Sequence, residues 1–265
     1  MRFKLFIIVL IITACSKSKS FDGIEILGHA ATGLENINSP YHDNSKEAVE
    51  YALSMEGCDG IEIDVQLSAD GELWLFHNTN LELETNTSGC LSNLTFQELK
   101  NTHYTTIGKE KLVRLRDLDT SYFKGKKIFL DIRHYNECST VFVDQNQLIQ
   151  HLKEIGFSQP TTFEVSCILG KSDWIDDFKN EGLSVLYSIY SMTEFNMSVS
   201  SFPTLDGFIV KNGDFSEADI TEIKANNKKV YIFEIRSPKG IRSALKKYPT
   251  GVLTDDLRAT LIEQY

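Results

Sequence analysis

GIEIDVQLSADGELWLFHN, residues 60–78, is an apolar, β-branched run broken at every second position by a polar group. A strand places successive side chains on opposite faces, so Glu62 and Asp64 share one face while Ile61, Ile63 and Val65 share the other. Asp70-Gly71 then supplies hairpin chemistry. Residues 73–76 are therefore expected to run back beside residues 60–65, which returns His77 to the neighbourhood of the two acids.

Outward from this stretch, short β-branched runs alternate with amphipathic ones. Strands are predicted over residues 24–28, 60–65, 127–132, 162–166, 184–189, 207–210, 229–233 and 252–254. Helices are predicted over 45–55, 141–155, 172–180, 217–225, 238–247 and 256–263. Strand alternating with helix implies parallel strands joined by crossovers. Eight such strands in a 265-residue chain fit a (β/α)8 TIM barrel. An open doubly wound sheet is the alternative, but it usually carries a glycine-rich turn after its first strand, and GHAATG at residues 28–33 is not that fingerprint. Residues 66 to about 112, rich in Thr, Asn and Ser, read as a small lobe inserted after the second strand, above the barrel mouth. Within it Thr95-Phe-Gln-Glu98 is a capping box that opens a short helix.

Residues 1–14 have the order of a secretory signal: Arg2 and Lys4, the apolar run 5–12, then Thr13 and Ala14 before Cys15. The run is too short to span a bilayer as a stable helix. The Ile-Thr-Ala-Cys end resembles a bacterial lipobox, in which the cysteine carries the lipid. The expectation is a lipoprotein of the bacterial cell envelope, held to the membrane at Cys15 with residues 15–22 as a flexible tether and residues 23–265 as the barrel; an ordinary cleaved signal peptide is the alternative. The formal charge is −10, and loss of Arg2 and Lys4 leaves the exported form more acidic still. Such a domain gains nothing from a phosphate backbone, which argues against a nucleic-acid partner. The spacing of Cys58, Cys90, Cys138 and Cys167 matches no zinc motif, and buried free thiols are expected.

Catalytic groups of a (β/α)8 barrel collect at the C-terminal ends of its strands, and here those ends are polar. The first ends at His29, the second holds Glu62 and Asp64, and the third holds Asp131 and Arg133, again two apart. Three converging carboxylates need a cation. Oxygen donors suit a hard divalent ion, Ca2+ or Mg2+; salt bridges to Arg133, Lys211 or Arg236 are the bland alternative. His29 and His77 suit acid–base work near neutral pH, whereas His42, His103, His134 and His151 read as structural.

These residues resemble the glycerophosphodiester phosphodiesterases, whose barrels are related to phosphatidylinositol-specific phospholipase C. That family's core runs H-R-G, then P-E-N-T, then G-a-D-x-I-E-x-D-V-x-x-T-x-D-G-x-x-V-x-x-H-D. Here the corresponding segments are GHAATG, HDNSKEAVEYAL and GCDGIEIDVQLSADGELWLFHN, followed by TNTSGCLSNLTFQEL, IFLDIR, FEVSC and GVLTDDL. The likeness covers residues 24 to 258. It implies a metal held by Glu62, Asp64 and Asp131, a catalytic pair His29 and His77, and a glycerophosphodiester as small-molecule substrate. The implied chemistry is attack by the substrate's own hydroxyl, release of an alcohol, and opening of a cyclic phosphate by water.

Several positions depart from the pattern. Ala30 replaces the arginine after the first histidine, so the phosphate contact falls to Arg133 and Lys211. Asn78 replaces an aspartate, Asp131 a glutamate and Phe233 a tryptophan. Two other readings follow from these departures: a lysophospholipase-D-like activity on another hydroxyl-bearing diester, or a barrel without turnover that serves as a surface binding module.

Overall fold

In a computed structural model, the structure describes residues 21–34, 36, 38–134, 138 and 143–264. The predicted signal peptide, most of the tether and Cys15 lie outside these residues. Nine strands form one sheet: β1 (Glu25–Gly28), β2 (Gly60–Leu67), β3 (Leu73–Leu75), β4 (Lys127–Ile132), β5 (Glu164–Leu169), β6 (Ser184–Ile189), β7 (Gly207–Lys211), β8 (Lys229–Ile235) and β9 (Gly251–Thr254). All but β3 are parallel. β1 pairs with β9 on one side (Glu25 with Gly251) and with β2 on the other (Leu27 with Gly60), which closes an eight-stranded barrel. Gly60 lets the neighbouring strand β4 come close, since a Cβ there would meet the Lys127 carbonyl oxygen at 1.9 Å.

Helices α1 (Lys46–Ser54), α2 (Phe96–Leu99), α3 (Gln145–Glu154), α4 (Ile175–Asn180), α5 (Met192–Ser201), α6 (Glu217–Ala225), α7 (Pro238–Leu245) and α8 (Leu257–Gln264) follow in chain order. Apart from α2 and the C-terminal α8, they fill the crossovers. Outward-facing strand residues such as Ile61, Ile63, Val65, Ile128, Leu130 and Ile132 form the large core between sheet and helices. The barrel interior is filled by Leu27, Phe129, Ile168, Leu186, Ile209, Tyr231 and Leu253, one from each strand except β2. Phe129 and Tyr231 meet edge to face at 4.8 Å, a geometry that adds about 0.5–1.5 kcal/mol beyond area burial. On β2 the inward positions are taken by Glu62 and Asp64, both 2% exposed. Charge therefore stands where the other seven strands place an apolar plug.

β3 pairs antiparallel with β2 (Val65 with Leu75, Leu67 with Leu73), as the Asp70-Gly71 turn implied. The chain from Ser68 to Lys126 carries short 3-10 turns, α2 and a separate apolar cluster of Trp74, Phe76, Leu81, Leu91, Leu99, Tyr104 and Leu112. The capping box at Thr95 forms, with Glu98 accepting from the Thr95 backbone N–H at 2.8 Å.

Three expectations need correction. β5 begins two residues later than predicted and continues through Cys167, Ile168 and Leu169. α5 was not anticipated: its sequence MTEFNMSVSS buries only Phe195 and Ser198, so its apolar stripe is too thin to read. Its signal was instead the cap, since Ser191 accepts from the Glu194 backbone N–H at 3.2 Å. Cys90 and Cys138 are not free thiols but a disulfide, whereas Cys58 and Cys167 are free and buried as expected.

Candidate active site

Two residues beyond β1 the chain doubles back. A Cβ on Gly28 would lie 1.7 Å from the Ala31 carbonyl oxygen, and Ala30 (φ 45°) and Ala31 (φ 74°) adopt left-handed backbone. The fold accepts this strain because it hooks the loop onto β2. The Ala30 N–H donates to Glu62 Oε2 at 2.8 Å, and the Ala31 N–H donates to the Glu62 carbonyl at 2.9 Å. Ala30 itself is fully buried.

Asn44, also left-handed (φ 54°) and fully buried, holds the second acid. Its Nδ2 donates to Asp64 Oδ2 at 2.8 Å, and its Oδ1 accepts from the Asp64 backbone N–H at 2.9 Å. Asp131 lies opposite Asp64 in the β2–β4 register. The carboxylates of Glu62, Asp64 and Asp131 each bring an oxygen within 4.8 Å of the others. Burial and the charge of Asp64 raise the Glu62 carboxyl well above its ordinary range. The same two causes push Asp131 up to about 6 against the opposing pull of Arg133. Glu62 Oε1 is buried without a hydrogen-bond partner. Arg133 stands 3.6 Å from Asp64 and 3.4 Å from Asp131, so part of the salt-bridge alternative is realised, but one guanidinium does not balance three carboxylates. An orphaned carboxylate oxygen beside two further oxygen donors fits a hard divalent cation.

His29 Nδ1 lies 2.7 Å from Asp255 Oδ1, while its Nε2 faces Glu62 Oε2 at 3.8 Å. Burial opposes charge on this ring, yet the Asp255 hydrogen bond and the surrounding carboxylates raise it to about 9. Asp255 Oδ1 also accepts from the Leu34 N–H at 3.1 Å. His77 follows β3, where Gln66 Nε2 donates to the carbonyls of Phe76 and Asn78, both at 2.8 Å, and pins the chain on either side of it. Its Nδ1 pairs with Asn78 Oδ1 at 3.1 Å. An amide oxygen can only accept, so Nδ1 carries the proton and Nε2 is the exchangeable nitrogen.

One cavity of about 420 Å³ at the C-terminal end of the barrel gathers His29, His77, Glu62, Asp64, Asp131, Arg133 and Lys211. Every site residue expected from sequence is thus in one place, except Cys15, which lies outside the described residues. Lys211 is tied to Glu234 at 2.9 Å. Phe233, Ile168, Ile209 and Leu253 form the apolar wall. The other histidines are held elsewhere: His42 stacks on Tyr104 at 3.7 Å, His134 packs edge-on against Trp174, and His151 sits between Arg116 and Glu72. Asn44 and Asp255 stand outside the residues expected from sequence to form the site. Their only local signals were a helix-start asparagine in HDNS and the paired acids of LTDD.

Residues 36–261 match the glycerophosphoryl diester phosphodiesterase family, and the chain belongs to it. A glycerophosphodiester phosphodiesterase of Bacillus altitudinis is 45% identical over 60 residues, which is 23% of this chain and 24% of that protein. The matched stretch therefore spans about a quarter of that relative. Among solved structures, a putative glycerophosphodiester phosphodiesterase from Galdieria sulphuraria superposes with a TM-score of 0.77 at 13% identity, covering 93% of this chain and 99% of that one. An Oleispira antarctica phosphodiesterase, in complex with the product sn-glycerol-3-phosphate, does so with a TM-score of 0.76 at 17% identity, covering 90% and 96%. At these identities the structural likeness speaks to fold.

Proposed function

We propose that the protein hydrolyses glycerophosphodiesters to an alcohol and glycerol phosphate, using His29 and His77 for proton transfer and a divalent cation, Ca2+ or Mg2+, at Glu62, Asp64 and Asp131. The observation that carries this reading is the convergence of two oriented imidazoles and three carboxylates, two of them buried and the third partly so, on one cavity of a barrel of this family. The product complex of the Oleispira antarctica phosphodiesterase supports the choice of substrate class. A bound divalent cation would supply charge neutralisation for the phosphoryl group and acidify the adjacent hydroxyl.

The chain's own residues divide the proton work by their partners. Asn78 is neutral and leaves the His77 ring free to accept, so His77 takes the proton of the hydroxyl neighbouring the phosphate. That oxygen attacks phosphorus in line, and the bond from phosphorus to the leaving alcohol breaks. His29, whose imidazolium is favoured by Asp255 at 2.7 Å, gives its proton to the departing alcohol oxygen. In the second half the roles reverse: His29 deprotonates a water that opens the cyclic phosphate, and His77 returns its proton to the original hydroxyl oxygen. Arg133 and Lys211 line the same cavity.

The test is release of choline from glycerophosphocholine, with and without chelator, by the wild type and by His29→Ala. Turnover should require a divalent ion, and His29→Ala should lower kcat/KM by about a hundredfold to ten-thousandfold. Turnover unaffected by chelator, or retained by His29→Ala, refutes the reading. Membrane attachment through Cys15 in the cell envelope is part of the same proposal. It is supported by the Ile-Thr-Ala-Cys pattern, and it fails if Cys15→Ser leaves the protein in the membrane fraction.

A further inference from the structure

Among the described residues the cavity is lined by three fixed cations, Arg133, Lys211 and Arg236, and they are unequally engaged. Arg133 stands between Asp64 and Asp131, and Lys211 is clasped by Glu234 at 2.9 Å. Arg236 is 55% exposed at its side chain and makes one long contact, Nε to Asp255 Oδ2 at 3.6 Å. Position 30, immediately after His29, brings no charge to the cavity, being a buried alanine. A phosphodiester entering beside Glu62, Asp64, Asp131 and Glu234 needs a cation those acids have not already claimed.

The backbone spends a distortion to aim Arg236 at that place. Along β8, Ile232 faces the outer core and Phe233 the cavity. Regular alternation would turn Glu234 outward, Ile235 inward and Arg236 outward. Instead the β8–β9 register slips between Ile232 and Ile235: three steps on β8 match two on β9, from Val252 to Thr254. Glu234 takes up the extra residue in left-handed backbone (φ 60°), a conformation unfavourable for a non-glycine residue. Ile235 consequently packs in the outer core, fully buried, while Glu234 and Arg236 both line the cavity. The bulge thus delivers a planar, multidentate guanidinium to the edge of the site next to the His29–Asp255 pair.

We infer that Arg236 is a phosphate-anchoring residue of this site, re-aimed into the cavity by the β8 bulge. The inference rests on the functional reading above for the phosphodiester, but its binding test stands apart from turnover. Arg236 holds a non-bridging phosphoryl oxygen on the His29 side, and Arg236→Lys, which keeps charge but not the fork, retains part of the effect.

The experiment is calorimetric titration of wild type, Arg236→Ala and Arg236→Lys with inorganic phosphate in Mg2+ buffer, together with the pH profile of glycerophosphocholine turnover. Arg236→Ala should weaken phosphate binding by about tenfold or more, with Arg236→Lys in between, and should raise KM more than it lowers kcat. Unchanged phosphate affinity overturns the inference; if the pH profile of kcat then shifts, Arg236 only steadies Asp255. Arg236-dependent phosphate binding in a protein without diesterase turnover would sink the functional reading and leave this inference standing. Absence of phosphate binding by the wild type overturns it.

Discussion

Replacing Asp131 with asparagine should make the metal-free protein more stable and the metal-loaded protein less so. The side chain of Asp131 is 29% exposed and faces Asp64 across the β2–β4 register. Burial and that neighbour raise its carboxyl from an ordinary 3.8 to about 6. A group whose pKa is raised by folding contributes stability that is complete below its unfolded value and is lost as pH climbs through the folded one. For Asp131 the loss therefore falls between about pH 4 and pH 6, and two units of difference correspond to about 3 kcal/mol at neutral pH. Asparagine mimics the protonated acid and escapes the loss. For a chain of this size about 3 kcal/mol moves Tm by roughly 5–10 °C. The assay is thermal unfolding in chelator at pH 4 and pH 7.5. Asp131→Asn should melt above wild type at pH 7.5, and the gap should close at pH 4. Divalent ion at about a thousandfold excess over Kd should reverse the ranking, since the wild type then gains about 4.1 kcal/mol against its deficit of about 3 kcal/mol, and the variant, short of one carboxylate ligand, gains less than about 1 kcal/mol. A variant that melts below wild type in chelator at pH 7.5, or a gap indifferent to pH, would refute the picture of three mutually repelling carboxylates awaiting a cation.

Asn44→Ala strips both hydrogen bonds from Asp64, leaving a buried N–H unpaired and alanine in left-handed backbone; urea unfolding should register a loss of about 2–4 kcal/mol, and a loss below about 0.5 kcal/mol would deny it an anchoring role. Asn78→Asp places a carboxylate against His77 Nδ1, now 3.1 Å from an amide oxygen. The imidazolium is then favoured, the base is unmasked only at higher pH, and the acid limb of the kcat/KM profile should move up by about one unit. A limb that stays put removes His77 from the role of base.

What was legible from the chain follows distance along it. Glu62, Asp64 and His77 lie within one hairpin, and a two-residue period with one turn suffices to bring them together. Asp131 and Arg133 follow from the same period on a neighbouring strand. Asp255 reaches His29 across 226 residues, and it does so because β9 closes on β1; no local pattern announces a contact made by barrel closure. Arg236 was visible as a cation near a strand end, but its direction depends on a bulge, and one extra residue inverts the facing of everything beyond it. Asn44 stands one place before the helix cap Ser45, whose side chain accepts from the Ala48 backbone N–H, and nothing local announces that it holds Asp64 instead.

The Cys90–Cys138 bridge has a practical corollary. Cys90 belongs to the segment between β3 and β4, and Cys138 lies five positions past Arg133 in the connection from β4 to α3. A single covalent tie thus joins the lobe that follows β3 to the connection after β4, whose Arg133 lines the cavity. Protein made where thiols stay reduced would leave those two segments joined by packing alone, so batches of identical sequence can differ in how firmly the lobe is held. Redox history, recorded by thiol counting, therefore belongs beside pH and ion content when two preparations disagree.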